Sequence, residues 1–71
     1  MNRQKVKSSN MESIGYDPKK MLLEVEFSNG EVYQYHPVTE EAHKELMNAE
    51  SQGKWFWANI RSNKDIKFKQ M

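Results

Sequence analysis

Lys54-Trp55-Phe56-Trp57, followed by Arg61 and Lys64, is the stretch whose residue types could recognise a partner. On a helix, Phe56 and Ile60 lie four residues apart and share the inward face, while Trp55 and Trp57, two apart, fall on other faces. At least one indole is therefore expected at the surface beside Lys54, Arg61 or Lys64. An exposed tryptophan with basic neighbours serves two kinds of recognition. It can stack on unpaired bases, or it can anchor a protein interface. The competing reading is a small domain that recruits every large ring into a thin core. A second set is Tyr33 and Tyr35 on one strand, with Tyr16. These rings could form a stacking platform for bases. They could equally finish the inner face of a sheet, with their hydroxyls at its rim.

Nothing comparable points to catalysis. Ser8 and Ser9 read as local caps or turn bonds, because a nucleophile needs a base held by a third group. His36 and His43 are the only imidazoles. Glu40-Glu41-Ala42-His43 contains one Glu-x-x-His, but a carboxylate metal site would need a second copy on a facing helix. There is no cysteine and no glycine-rich phosphate loop. The chain is expected not to be an enzyme, and to hold no metal and no cofactor.

The elements that must position these residues follow from periodicity. Ile14 and Tyr16 point one way across a first strand, which the Asp17-Pro18-Lys19-Lys20 turn ends. Met21, Leu23, Val25 and Phe27 alternate with Leu22, Glu24 and Glu26, the clearest half-buried strand of the chain. Ser28-Asn29-Gly30-Glu31 then allows two hairpin registers. A two-residue loop would put Tyr33 and Tyr35 on the glutamate face. A three-residue loop with Gly30 in the left-handed bulge position sets Tyr33 beside Val25 and Tyr35 beside Leu23. Only the second gathers aromatics with aliphatics, and it is the one expected.

Pro37 ends the third strand, and Thr39 is placed to cap a helix with Glu40 and Glu41 in its first turn. That helix is expected from about Glu40 to Ser51, stopped by Gly53. A short second helix over Lys54 to Arg61 follows, and the tail from Lys64 to Lys69 could add an edge strand through Ile66 and Phe68. Glu24, Glu26 and Glu31 read as a solvated outer face that discourages edge pairing. The expected fold is α+β: a three-stranded antiparallel meander, one main helix, a short second helix and a C-terminal segment able to form an edge strand.

Size and composition bound the function. A chain of 71 residues is one domain that buries only about 60% of its unfolded surface, with stability on the order of 7 kcal/mol or less. Little room remains for an enclosed active site. The N-terminus is charged with no apolar leader, and no apolar run is long enough to span a membrane. Together with the missing cysteines, this predicts a soluble cytoplasmic domain. Residues 1–8 are polar except for Met1 and Val6 and are expected to fray, leaving one domain over 9–69. The formal charge of +1 hides a pattern: the two ends are basic, and the middle sets Lys44 against seven glutamates. If the ends converge, Lys5, Lys7, Lys54, Arg61 and Lys64 should share one phosphate-facing surface away from Glu24 and Glu26. Scattering of these cations among the glutamates would instead favour a protein partner.

Ser8-Ser9, Ile14-Gly15-Tyr16-Asp17, then Leu23, Val25 and Phe27, and Gly30-x-x-Tyr33-x-Tyr35 with Val38, together resemble the KTSC domain. Ala49-Glu50-Ser51-x-Gly53-Lys54-x-Phe56 with Ile60-Arg61 is similar to the same family. The resemblance runs from about residue 6 to residue 68 and rests on order and spacing rather than on any one motif. The family is named for the C-terminus of some lysyl-tRNA synthetases and also occurs as free-standing small bacterial and phage proteins. That association implies RNA as a ligand class. Trp57 departs from the pattern, standing where the family more often has a small polar residue such as Asn. The resemblance makes Tyr16, Gly30, Tyr33, Tyr35, Gly53 and Phe56 signature positions, whose expected roles are structural. The resulting expectation is a non-catalytic binding module for RNA or single-stranded nucleic acid through Lys54, Trp55, Trp57, Arg61 and Lys64. The alternative is a protein-interaction or self-association module centred on Trp55 and Trp57.

Overall fold

Tyr35, Leu23 and Tyr16 stand in one row across adjacent strands, with Leu23 and Tyr35 buried in the core. The computed structural model describes residues 2–6 and 8–71. Its strands are β1 (Arg3–Lys5), β2 (Met11–Asp17), β3 (Leu22–Phe27), β4 (Val32–His36) and β5 (Lys67–Gln70). They form a single five-stranded antiparallel sheet in chain order, β1-β2-β3-β4-β5. Between β4 and β5 come α1 (Glu40–Asn48) and α2 (Gln52–Phe56), and α2 runs on into a π-helical segment, Trp57–Arg61. No helix among the described residues is long and apolar enough to cross a membrane.

The β3–β4 hairpin has the bulged register. Leu23 pairs with Tyr35 and Val25 with Tyr33. The Phe27 N–H donates to the Glu31 carbonyl at 2.8 Å, and Gly30 has φ +90°. A residue with a Cβ is strained in that conformation, so the glycine selects the three-residue loop. The aromatics consequently join the aliphatics, as the burial argument requires.

Alternation then separates two faces of different character. The inner face contributes Ile14, Leu23, Val25 and Tyr35 to a core closed by Val38, Leu46, Phe56 and Ile60. Tyr16, Phe27 and Tyr33 pack at its margin. The outer face is polar. Arg3, Gly15, Glu24, Gln34 and Lys69 form a continuous row across all five strands. Within it, Arg3 pairs with Glu24 at 3.5 Å and the Gln34 amide donates to Glu24 at 3.0 Å.

Four expectations need correction. The sheet has more strands than the expected meander, because Arg3–Lys5, placed in a frayed tail, pairs with β2 along the sheet edge. Backbone pairing at an edge needs no apolar side chains, so composition did not mark it. Met21 is not a strand residue. It has φ 53° in the turn, and β3 begins at Leu22. The main helix stops at Asn48, because Ala49 is already extended. Ser51 starts the next helix instead of finishing this one, its hydroxyl accepting the Lys54 N–H at 3.4 Å. Gly53 therefore lies inside α2 and is not the stop signal for α1. Thr39 does cap α1 as its side chain predicts, accepting the Ala42 N–H at 3.1 Å.

Candidate interaction grooves

Phe56 and Ile60 are each 2% exposed, so the inward stripe of the second helix is the expected one. The two indoles are then forced onto opposite sides of it. Trp55 is half-buried and lies with Ala42, Asn59 and Ile66 on the flank toward α1. Trp57 is 58% exposed and heads the π-helical segment. Such segments are uncommon and often accompany functional sites. Ser62 holds this one, its hydroxyl donating to the Trp57 carbonyl at 2.7 Å.

Trp57 is the ridge between two open grooves. The first, of about 650 Å³, runs between the Ser8-Ser9-Asn10 segment and α2, and includes Glu50, Gly53 and Lys54. The second, of about 410 Å³, is aromatic: Phe27, Tyr33, Tyr35 and Phe68 line it with Arg61. Both grooves share Asn10 and Trp57. The Arg61 guanidinium lies 4.7 Å from the Phe68 ring centre and 5.6 Å from that of Trp57, within cation–π range of both. Tyr33 and Tyr35 stack at 6.3 Å, and Phe68 stands 6.1 Å from each.

Tyr35 is 3% exposed, and burial pushes its hydroxyl up to about 12, against a smaller opposing pull from Arg61. Because the folded state resists the phenolate, this contribution to stability is complete below the unfolded value near pH 10 and is lost as pH rises toward 12. Urea midpoints should therefore fall between pH 9 and pH 11 more in the parent chain than in Tyr35→Phe. Equal falls would show that the hydroxyl titrates as it does in the unfolded chain.

The proposed set of Lys54, Trp55, Trp57, Arg61 and Lys64 does not gather into one site. Lys54 and Trp57 meet in the first groove, and Trp57 and Arg61 in the second. Trp55 faces the other way, and Lys64 is exposed but lines neither groove. The basic ends do not converge. Lys5 stands in register with Ser13 and Glu26, on the glutamate face. Lys54 and Arg61 belong to the helical side, and Lys7 lies outside the described residues. Sequence reasoning missed Asn10, Phe27 and Phe68 as groove residues, and treated Ser8 and Ser9 as local bonds alone. That local role is present for Ser8, whose Oγ accepts the Asn10 N–H at 3.4 Å, whereas Ser9 is held through its backbone carbonyl, which accepts the Ser28 hydroxyl at 2.9 Å from across the sheet. The available signal was the shared motif, since Ser8-Ser9 and Ser51-x-Gly53-Lys54 line one groove from opposite ends of the chain.

Comparison with known proteins agrees with this architecture. The KTSC domain matches residues 7–63. An uncharacterised protein of Stutzerimonas stutzeri is 45% identical over 56 residues, which cover 79% of each chain. A protein of Tsukamurella paurometabola is 40% identical over 52 residues, covering 73% of this chain and 78% of its own. The crystal structure of a KTSC domain protein from Yersinia pestis superposes with a TM-score of 0.92 at 38% identity, covering 99% of this chain and 96% of the other.

Proposed function

The chain belongs to the KTSC domain family, and we propose that it works as a small, non-catalytic protein-interaction module whose contact surface centres on Trp57. The observation that carries this reading is an indole 58% exposed on a ridge between two grooves whose charges balance. Lys54 is matched by Glu50 in the first groove, and Arg61 by Glu31 in the second. A surface for the phosphate backbone would instead concentrate cations without paired acids. Large aromatic side chains with arginine are the usual anchors of protein interfaces, and here the Arg61 guanidinium lies over the rings of both Trp57 and Phe68. A cysteine-free chain suits the reducing cytoplasm, where we place it.

Random peptides displayed on phage and selected on the full chain test the reading. A consensus peptide should emerge whose binding is weakened about 30-fold, or about 2 kcal/mol, by Trp57→Ala. The same substitution should leave the urea midpoint almost unchanged, because the ring is mostly solvated. A failure to enrich any consensus would reverse the order of the two functions if decauridylate also bound with a steep salt dependence. Exposed Trp57 beside Lys54 and Arg61 is the feature that would then stack bases.

A further inference from the structure

β5 ends the sheet at one edge, with β4 as its single strand neighbour. The Met71 N–H donates to the Val32 carbonyl at 2.8 Å, which fixes the alternation of the β4–β5 ladder. Lys67 and Lys69 turn their backbone groups toward His36 and Gln34, while Phe68 and Gln70 turn theirs to the open side. Those outward N–H and C=O groups make no hydrogen bond to any described residue. All four side chains of the strand are exposed, that of Phe68 by 51%. β5 can therefore template one more strand, with its donors and acceptors at a fixed spacing.

Charge selects the strand it would accept. Lys67 and Lys69 share the outer face, and Phe68 and Gln70 the inner one. Across β4 the lysines meet His36 and Gln34, and neither ammonium has an ion-pair partner among the described residues. Glu24, two strands from Lys69 in the same row, is engaged by Arg3 at 3.5 Å and by the Gln34 amide at 3.0 Å. Glu31 does reach β5, but on the inner face, where it accepts from Gln70 at 3.3 Å. The opposite edge differs. Arg3 of β1 pairs with Glu24, and Lys5 shares a row with Glu26. Edge lysines keep sheets apart, and between copies of this chain any two edges would set Arg3, Lys5, Lys67 or Lys69 against like charge. The same charges attract a strand that carries carboxylates at those positions. An apolar side chain between the carboxylates would lie beside Phe68 and cover its exposed ring.

We infer that the β5 edge binds an extended partner segment in which acidic residues alternate with apolar ones, adding an antiparallel strand to the sheet. The acidic side chains stand opposite Lys67 and Lys69 at non-hydrogen-bonded positions, where side chains approach most closely. The apolar residues exchange backbone hydrogen bonds with Phe68 and Gln70. This contact is additional to the Trp57 ridge, and each can fail without the other.

The test is a two-dimensional NMR titration of the full chain with the peptide acetyl-Glu-Val-Glu-Val-Glu-amide, its counterpart with lysine for glutamate, and decauridylate. The acidic peptide should shift the amides of Phe68 and Gln70 most, and bind about fivefold or more tightly than the basic one. Methylating its valine nitrogens, which face β5, should abolish binding, whereas methylating its glutamate nitrogens, which face away, should not. Lys67→Glu combined with Lys69→Glu should reverse the preference, so that the basic peptide binds better. Trp57→Ala should leave the affinity unchanged. Equal binding of the acidic and basic peptides overturns the inference, as do equal effects of the two methylations, shifts confined to β1, or an absence of shifts. Stronger binding of decauridylate at Lys67 and Lys69 would make the edge a phosphate surface. Concentration-dependent shifts of Phe68 and Gln70 without peptide would make the occupant a second copy. Either result overturns the assignment. Loss of peptide binding in Trp57→Ala would place the peptide in the grooves, so the edge falls and the Trp57 surface survives.

Discussion

Phe56→Ala should cost about 3–5 kcal/mol in urea denaturation, a large fraction of what a domain of this size can hold. The ring is 2% exposed and sits where the second helix meets the sheet. It packs edge-on against Tyr35 at 5.1 Å and against Phe27 at 5.8 Å. Removing it leaves a cavity bordered by rigid aromatics that cannot close it, so the upper part of the range applies. Phe27 is a weaker test than the alternating pattern suggests, because it is only half-buried and reaches the second groove. The substitution also bears on recognition, since Phe56 is the residue that turns Trp55 and Trp57 to opposite sides. Trp57→Ala is the control, with a change of less than about 0.5 kcal/mol expected at an exposed position. A loss below about 1 kcal/mol for Phe56→Ala would mean that the second helix is not anchored through this ring.

The β3–β4 hairpin was legible in the sequence for two reasons that agree. Gly30 permits the left-handed turn, and only one register puts Tyr33 and Tyr35 with Leu23 and Val25. The inward stripe of Phe56 and Ile60, and hence an exposed indole, followed from spacing alone. The boundary near residue 50 was not legible, because Ala42, Leu46 and Ala49 keep helical spacing past the real end. The break depends on Ala49 becoming extended and Ser51 capping the next helix, which are local backbone choices that apolar periodicity does not record. The charge pattern misled for a topological reason. A meander in chain order sends the first and last strands to opposite edges of the sheet, so the basic ends of β1 and β5 flank the acidic middle strands without meeting. The first groove was hidden for the same kind of reason: it joins the segment before β2 to α2, and no local pattern links them.

Leu46→Ala should have an effect of similar size, about 3–5 kcal/mol, with a different spatial signature. Leu46 is 0% exposed and is the one fully buried residue of α1. Ala42 and Met47 are only partly covered, and His43 lies flat against Tyr16 with ring centres 4.5 Å apart. A nine-residue helix has no stability of its own in water, so its order depends on this docking. Truncating Leu46 should therefore release α1 at least as readily as it weakens the sheet. Amide exchange can resolve the two: protection over residues 43–48 should fall by at least as much as protection in β3. The consequence should reach the first groove, because the Gln52 side chain donates to the Met47 carbonyl at 3.4 Å and ties the start of α2 to the end of α1. Glu50, Ser51 and Gln52, which line that groove, lie in the connection that α1 holds in place. Exchange that rises in β3 while residues 43–48 stay protected would show that α1 is held by contacts other than Leu46, and that the groove does not depend on it.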